Sequence, residues 1–330
     1  MRHSIRLAAV IVAASVGASF AVQGPAIDSA SRKAVVDEIT KLLDERYVSP
    51  DLGKKYGARL QARFAVGAFD TAGTPAALAS LLTRELQGVN ADKHLRVSAP
   101  APRAAEVAPP ALEALPVPFV RQLQGLPHGF RRVGILDGNI GYLDLLMFVP
   151  EATGRDTAVA AMKFLGGVDA LIVDLRDNGG GNPDLIRLIS SYFFEKPTHL
   201  NSIYWRAGNR TEEFWTYDAV DGRRLSAVQI FVLTSRRTAS GGEEFAYNLK
   251  TRQRAVIIGE VTWGGANPGG VFPLPAGLRI FLPTGRAINP ITGTNWEGVG
   301  VVPDVQSDRE RAFEIALARA KIAAESHRRR

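Results

Sequence analysis

The chain has 330 residues, 46% hydrophobic and 22% charged, ordinary values for a globular protein with room for a large core and a smaller second unit. With no cysteine, disulfides, thiol nucleophiles, thiolate zinc sites and a lipidated cysteine anchor are excluded. The formal charge of +7 is modest and scattered, which does not indicate a nucleic-acid surface.

Residues 1–21 have the parts of a secretory signal: Arg2 and Arg6, an apolar run from Leu7, and small residues up to Ser19-Phe20-Ala21. This predicts cleavage after Ala21, a periplasmic or secreted protein, and no stable membrane span in the mature chain. The alternative, an uncleaved anchor, suits poorly a run that is short and contains Ser15 and Gly17. Residues 22–97 read as a helical region. In IDSASRKAVVDEITKLLDERYV the residues Val35, Val36, Ile39, Leu42 and Leu43 fall near one face, and TPAALASLLTRELQG repeats the pattern and stops at Gly88. Residues 98–129 are rich in proline and alanine and read as a linker.

From residue 130 the pattern changes to short apolar strands, GNIGYLDLLMF, VDALIVDLRD, QIFVLTS, AVIIGEVT and LRIFLPTG, alternating with helices over 155–165, 183–194 and 241–252. The alternation predicts an α/β core, with antiparallel strands in the hairpin-like GGVFPLPAGLRIFLPTG. Residues 307–330 form a last helix and a solvated basic tail.

Few residues here suit chemistry. The five histidines (His3, His94, His128, His199, His327) show no H-E-x-x-H spacing, so no metal is indicated. Ser240 ends the strand QIFVLTS and opens a helix, three residues before Glu243. It is either the N-cap of a capping box or a nucleophile at a strand-to-helix turn. The run Gly179 to Gly181 in DLRDNGGGN fits neither phosphate-loop motif. It is a flexible turn or a source of amide donors. Lys250 lies about 15 Å along the helix from Ser240, too far to serve as its base. His94, in ADKHLRV, and Glu297, in TNWEGVG, each have an unremarkable reading as a satisfied or exposed side chain.

In their order, GNIGYLDL, DLRDNGGGN, TSRRTASGGEEFA, IIGEVTWGGANPGG and PTGRAINPITGTNWEGVGVVPDV resemble the C-terminal processing, or tail-specific, serine peptidases. The match is to the branch similar to the tricorn protease core and interphotoreceptor retinoid-binding protein. The resemblance covers residues 28–306 and implies a mixed α+β fold with a ClpP/crotonase-like core over 130–306, no PDZ domain, no cofactor, and a peptide or protein substrate. It makes Ser240 the nucleophile and the Gly241 amide one oxyanion donor, with the second from Gly179 or Gly180. The processing branch carries a lysine base after G-E-x-T-x-G, where this chain has Gly264 and Gly265. That departure implies the tricorn-like arrangement, with His94 as base and Glu297 in support, although Lys93 replaces the serine that precedes the tricorn-like histidine. A free imidazole as base sets the acid limb of activity at about pH 6–7.5. The rival reading is an apolar-ligand carrier on the same fold, since a fold does not fix a function.

Overall fold

A computed structural model of the protein describes residues 26–99 and 127–330. The signal expected at 1–21 and most of the 98–129 linker lie outside the described residues. Three helices open the chain: α1 (Ser29–Arg46), α2 (Pro50–Ala65) and α3 (Pro75–Gln87). Asp28 caps α1 by accepting from the Ser31 amide at 2.7 Å, and Thr74 caps α3 through the Ala77 amide. Proline at the start of α2 and α3 costs no hydrogen bond, because a first-turn amide has no helical partner. The five apolar residues read from the sequence of α1 are the five it buries.

The next element, β1 (Arg96–Ser98), leaves the helical part and joins the rest of the chain. Beyond the linker come β2 (Phe130–Leu136), β3 (Ile140–Leu145), α4 (Glu151–Phe164), β4 (Ala170–Asp174), α5 (Pro183–Ser191), β5 (His199–Trp205), β6 (Arg210–Trp215) and β7 (Gln229–Thr234). They are followed by α6 (Gly241–Thr251), β8 (Ala255–Gly259), β9 (Gly269–Pro273), β10 (Arg279–Pro283), β11 (Gly285–Ile288), β12 (Val305–Gln306) and α7 (Arg309–Arg328).

Six strands form the central sheet in the order β12-β8-β7-β4-β3-β2, parallel except for the β2–β3 hairpin. Strands β3 and β4 are buried throughout, which is why they read as apolar runs rather than as an alternation. Leu171 and Val173 face a core shared with α4, α5 and α6, while Ala170 and Ile172 face α7. The mixed α/β fold expected from the sequence is the one observed. The hairpin of β5 and β6 was not foreseen; it forms a second sheet with β11. Its outer strand, RTEEFW, buries only Phe214, so it carries no apolar pattern to read.

The third sheet, β1-β10-β9, positions the site. Strand β1 pairs antiparallel with β10, Val97 opposite Ile280, and the helical core continues into Leu278, Ile280 and Leu282. Val48 also donates to the Pro283 carbonyl at 2.9 Å. The helical part is therefore stitched to the core by backbone pairing, and residues just before β1 are delivered to the sheet's loops.

Helix α7 lies against β4, β7 and β8 through Ala312, Ala316, Ala320 and Ala324, all fully buried. Only a methyl-sized side chain at this four-residue spacing lets the helix axis come so near. Ala316→Leu should cost about 1–3 kcal/mol through overpacking, read as a lower denaturant midpoint. Ile322→Ala, on the exposed face of the same helix, should leave the midpoint unchanged.

Candidate active site

Strand β7 ends at Thr234, and residues 235–240 turn the chain into α6. Buried Thr238 holds the turn: its hydroxyl donates to the Leu175 carbonyl at 2.7 Å and accepts from the Ser235 amide at 2.9 Å. Ser240 sits at φ 50°, ψ −118°, a conformation that costs a non-glycine residue about 1–3 kcal/mol. It stands at the N-cap in capping-box register with Glu243. The box has both arms: the Glu243 carboxylate accepts from the Ser240 amide at 2.8 Å, and the serine side chain faces the Glu243 amide. The strained backbone sets this serine apart from an ordinary cap, whose residue lies in the extended region.

The glycine loop after β4 packs directly on this turn. Asn178, fully buried, donates to the Leu145 carbonyl and accepts from the Gly180 amide, both at 2.8 Å, while its own carbonyl takes the Ala239 amide at 2.9 Å. Gly180 has φ 108°, and a Cβ there would stand 2.7 Å from the Ser240 Cβ and 2.9 Å from the Gly241 nitrogen. Only glycine permits that approach. The resemblance offers Gly179 or Gly180 as the loop's donor. Gly179 donates to the Leu146 carbonyl at 3.0 Å and Gly180 to Asn178, so both amides are engaged. Among the described residues, the amides of Gly181 and of Gly241, at the first position of α6, have no hydrogen-bond partner.

The second half of the site comes from the residues before β1 and from the loop after β11. His94 lies between Trp263, edge-on at 5.1 Å, and Phe281 at 5.5 Å. Gly265 is close beside it: a Cβ there would lie 2.8 Å from the imidazole Cε1. Glu297 accepts from the Ala266 and Asn267 amides at 2.7 and 3.0 Å through Oε2. Its Oε1 and the His94 Nδ1 are both buried without a partner. Asp92, which the sequence reading missed, completes the group, and ligand atoms of Asp92, His94 and Glu297 lie within 4.8 Å of one another. Within the trio both Asp92 oxygens and Glu297 Oε2 accept hydrogen bonds from the chain.

Burial governs the charges here. It pushes His94 down to about 4, with Arg96 adding to the effect. It pushes Glu297 up to about 7, and the neighbouring Asp92 charge pushes the same way. Asp92 is raised as well, mainly by burial. The imidazole thus favours its neutral form near neutrality, where Glu297 and Glu243, the latter also raised to about 7 by burial, change charge.

The two halves meet at Glu243. Its carboxylate accepts from the Ser240 amide, from the Gly265 amide at 3.0 Å, and from the Gly264 amide and Thr262 hydroxyl at 2.5 Å. Ser240 and Gly265 share one oxygen, Oε2, so the serine turn and the wall of the His94 pocket are pinned to a single atom. No hydrogen bond joins the His94 ring to Ser240 or Glu297 among the described residues. Lys250 pairs with Asp304, away from this group, and Lys93 donates to the Trp263 carbonyl beside the His94 pocket.

The profile of peptidase family S41 matches residues 139–307, and that of the N-terminal domain of peptidase S41 in eukaryotic IRBP matches residues 29–125. The carboxy-terminal-processing protease of Bartonella bacilliformis is 27% identical over 197 residues, 57% of this chain and 44% of that protein. The chain therefore spans less than half the length of that relative. Two solved structures share the fold: mature CPAF, at TM-score 0.60 and 11% identity over 91% of this chain and 100% of that one, and the tricorn protease, at TM-score 0.56 and 18% identity over 91% and 37%.

The Glu243 junction makes a sharp prediction. Glu243→Gln keeps the shape but turns an amide NH2 toward groups that all donate. It should lower stability by about 1–3 kcal/mol for each buried donor left unpaired, measured by calorimetry. A loss below about 0.5 kcal/mol, the level of an ordinary surface change, would show that the carboxylate is not the anchor described.

Proposed function

The chain belongs to peptidase family S41, and on that footing we propose that it is an exported serine endopeptidase whose site is built from Ser240, His94 and Glu297. The Ser240 Oγ attacks the peptide carbonyl and its proton passes to His94. The oxyanion is held by the Gly241 amide and by a glycine-loop amide, with Gly181 the free one. His94 then delivers the proton to the leaving amine, and water hydrolyses the acyl-enzyme by the same route in reverse. Each oxyanion donor contributes about 3–4 kcal/mol. The observation that carries the reading is Ser240 itself, held in a strained conformation beside two unpaired amides. An apolar-ligand carrier would need none of these features. The gap between the His94 ring and its partners suits a free enzyme, where catalytic hydrogen bonds tighten on substrate binding.

This assignment makes 22–97 a helical region that supplies the base and 130–306 the catalytic core. Export rests on residues 1–21, and no helix among the described residues is long and apolar enough to cross a membrane. Mass spectrometry of protein from its native host should find a mature chain beginning near Val22. An intact Met1 would favour the anchor.

Ser240→Ala should abolish peptide hydrolysis and labelling by a fluorophosphonate, and labelling of the unmodified protein at another residue would remove Ser240 as nucleophile. The pH profile follows from the buried charges and departs from the His94 limb expected of a free imidazole. Glu297 is raised to about 7. Below that pH it is protonated and cannot offset the imidazolium formed on His94, so kcat/KM should fall on the acid side of about 7. Glu297→Gln should flatten that limb, and His94→Ala should lower kcat/KM by roughly 100-fold or more. A limb that persists unchanged in Glu297→Gln assigns it to another group.

A further inference from the structure

The sequence placed nothing at Asp92, yet it is among the most enclosed polar residues of the protein, 1% exposed. Its carboxylate does two separate things. Oδ1 accepts from the His94 amide at 3.1 Å and the Leu95 amide at 3.3 Å, which closes a tight turn between residues 92 and 95. Oδ2 accepts from the Tyr47 hydroxyl at 2.7 Å. Tyr47, the C-cap of α1, is itself buried and packed edge-on against Tyr56 of α2 at 5.1 Å. A turn of three residues would normally be satisfied by a surface aspartate with water on its other oxygen. This one faces inward, and a second carboxylate, Glu297, stands within 4.8 Å.

Two carboxylates do not share a buried site by accident of packing, because each resists the other's charge and both resist leaving water. We propose that Asp92 is a positioning residue of the site: anchored to the helical part through Tyr47, it holds the turn on which His94 stands and sets how readily the facing Glu297 ionises. The inference rests on the peptidase reading only for its kinetic consequence. The groups that face Glu297 are Asp92 and His94 from the segment before β1, Tyr56 from α2 and Glu243 from α6. Arg96 acts on His94. Of these, Asp92 exerts the largest charge effect on Glu297, Glu243 a smaller one of the same sign. The two carboxyls then titrate as a pair that retains one proton over an interval, and the upper step belongs to the pair rather than to either residue.

The turn and the charge can be separated by substitution. Asp92→Asn keeps the Oδ1 acceptor for the His94 and Leu95 amides and removes the charge. Asp92→Ser, smaller and still an acceptor, serves as the second variant. With the like charge gone, Glu297 ionises more easily, so the acid limb of kcat/KM should move to lower pH. The expected shift is at least about half a pH unit, the effect of one charge at about 5 Å even in water. A residue that only braced the turn would lower kcat/KM by the same factor at every pH and leave the limb in place. That outcome overturns the inference.

A second readout needs no turnover. In Ser240→Ala protein carrying 13C-labelled glutamate carboxyls, the Glu297 resonance, identified by its loss in Glu297→Gln, should titrate at lower pH when Asp92→Asn is added. If this resonance moves as expected while the unmodified protein cleaves no peptide, Asp92 keeps its role and the peptidase reading fails. If the protein is an active peptidase and the resonance does not move in either variant, the peptidase reading stands and the role of Asp92 is refuted.

Discussion

The site depends on one buried carboxylate. Glu243 lies on the first turn of α6, where negative charge is favoured by the helix dipole and by amides lacking helical partners. Yet it does not spend itself on the helix alone. Its oxygens take the Ser240 amide on one side and the Thr262, Gly264 and Gly265 donors on the other. Burial raises this carboxyl to about 7, and the four donors act in the opposite sense. A group in that position is costly to bury and more costly to leave unpaired. The loop after β8 therefore cannot drift from the serine turn without stranding polar groups out of water.

Everything else in the fold brings segments to that junction. The central strands run parallel, so the loops leaving β4 and β7 emerge on the same side of adjacent strands. This is the edge at which open α/β sheets gather ligands. Hydrogen bonds between those loops, Ala239 to Asn178 and Thr238 to Leu175, turn two neighbouring connections into one surface. The histidine comes from far off in sequence and could arrive by no local route. Three residues of pairing between β1 and β10 bring it in, backed by the apolar core that α1 and α3 share with the β9–β10 hairpin.

What could be read from the sequence follows from where the physics is local. The apolar stripe of α1 and the runs of β4 and β7 are set by burial of each element on a large surface, and periodicity reveals that directly. Strand β6, exposed at every residue but Phe214 and ordered by its ladder with β5, has no such signature. The turn at Ser240 and the run Gly179 to Gly181 were visible as residue types. Which loop amide is free was not, because it depends on the side chain of Asn178 reaching back to Gly180. Asp92 was legible in principle: an aspartate two residues before His94 is an Asx-turn signal. Its second partner, Tyr47, is 45 residues away, and only tertiary structure reveals that the carboxylate faces inward. The charge of His94 is hidden from the sequence for the same reason. A sequence supplies the free imidazole value, and enclosure by Trp263, Phe281 and Gly265 moves it.

That displacement has a consequence for how such a site works. A base held at about 4 by burial is a poor proton acceptor when considered alone, and an acid held at about 7 is a poor counter-charge. Paired across less than 5 Å, they correct one another. Whichever first gains its charge lowers the cost of the other's, because a low-dielectric surround strengthens their attraction while penalising each charge by itself. In the form proposed to be active, above about pH 7, Glu297 is charged and His94 neutral, and the ion pair is completed only when the serine's proton reaches the imidazole. Charge that develops only at that stage stabilises the transition state in preference to the ground state, which is the condition for raising kcat rather than merely tightening binding. On the proposed peptidase reading, the dry, strained and partly unpaired groups of the free site are the means by which the fold would direct stabilisation to the reacting state.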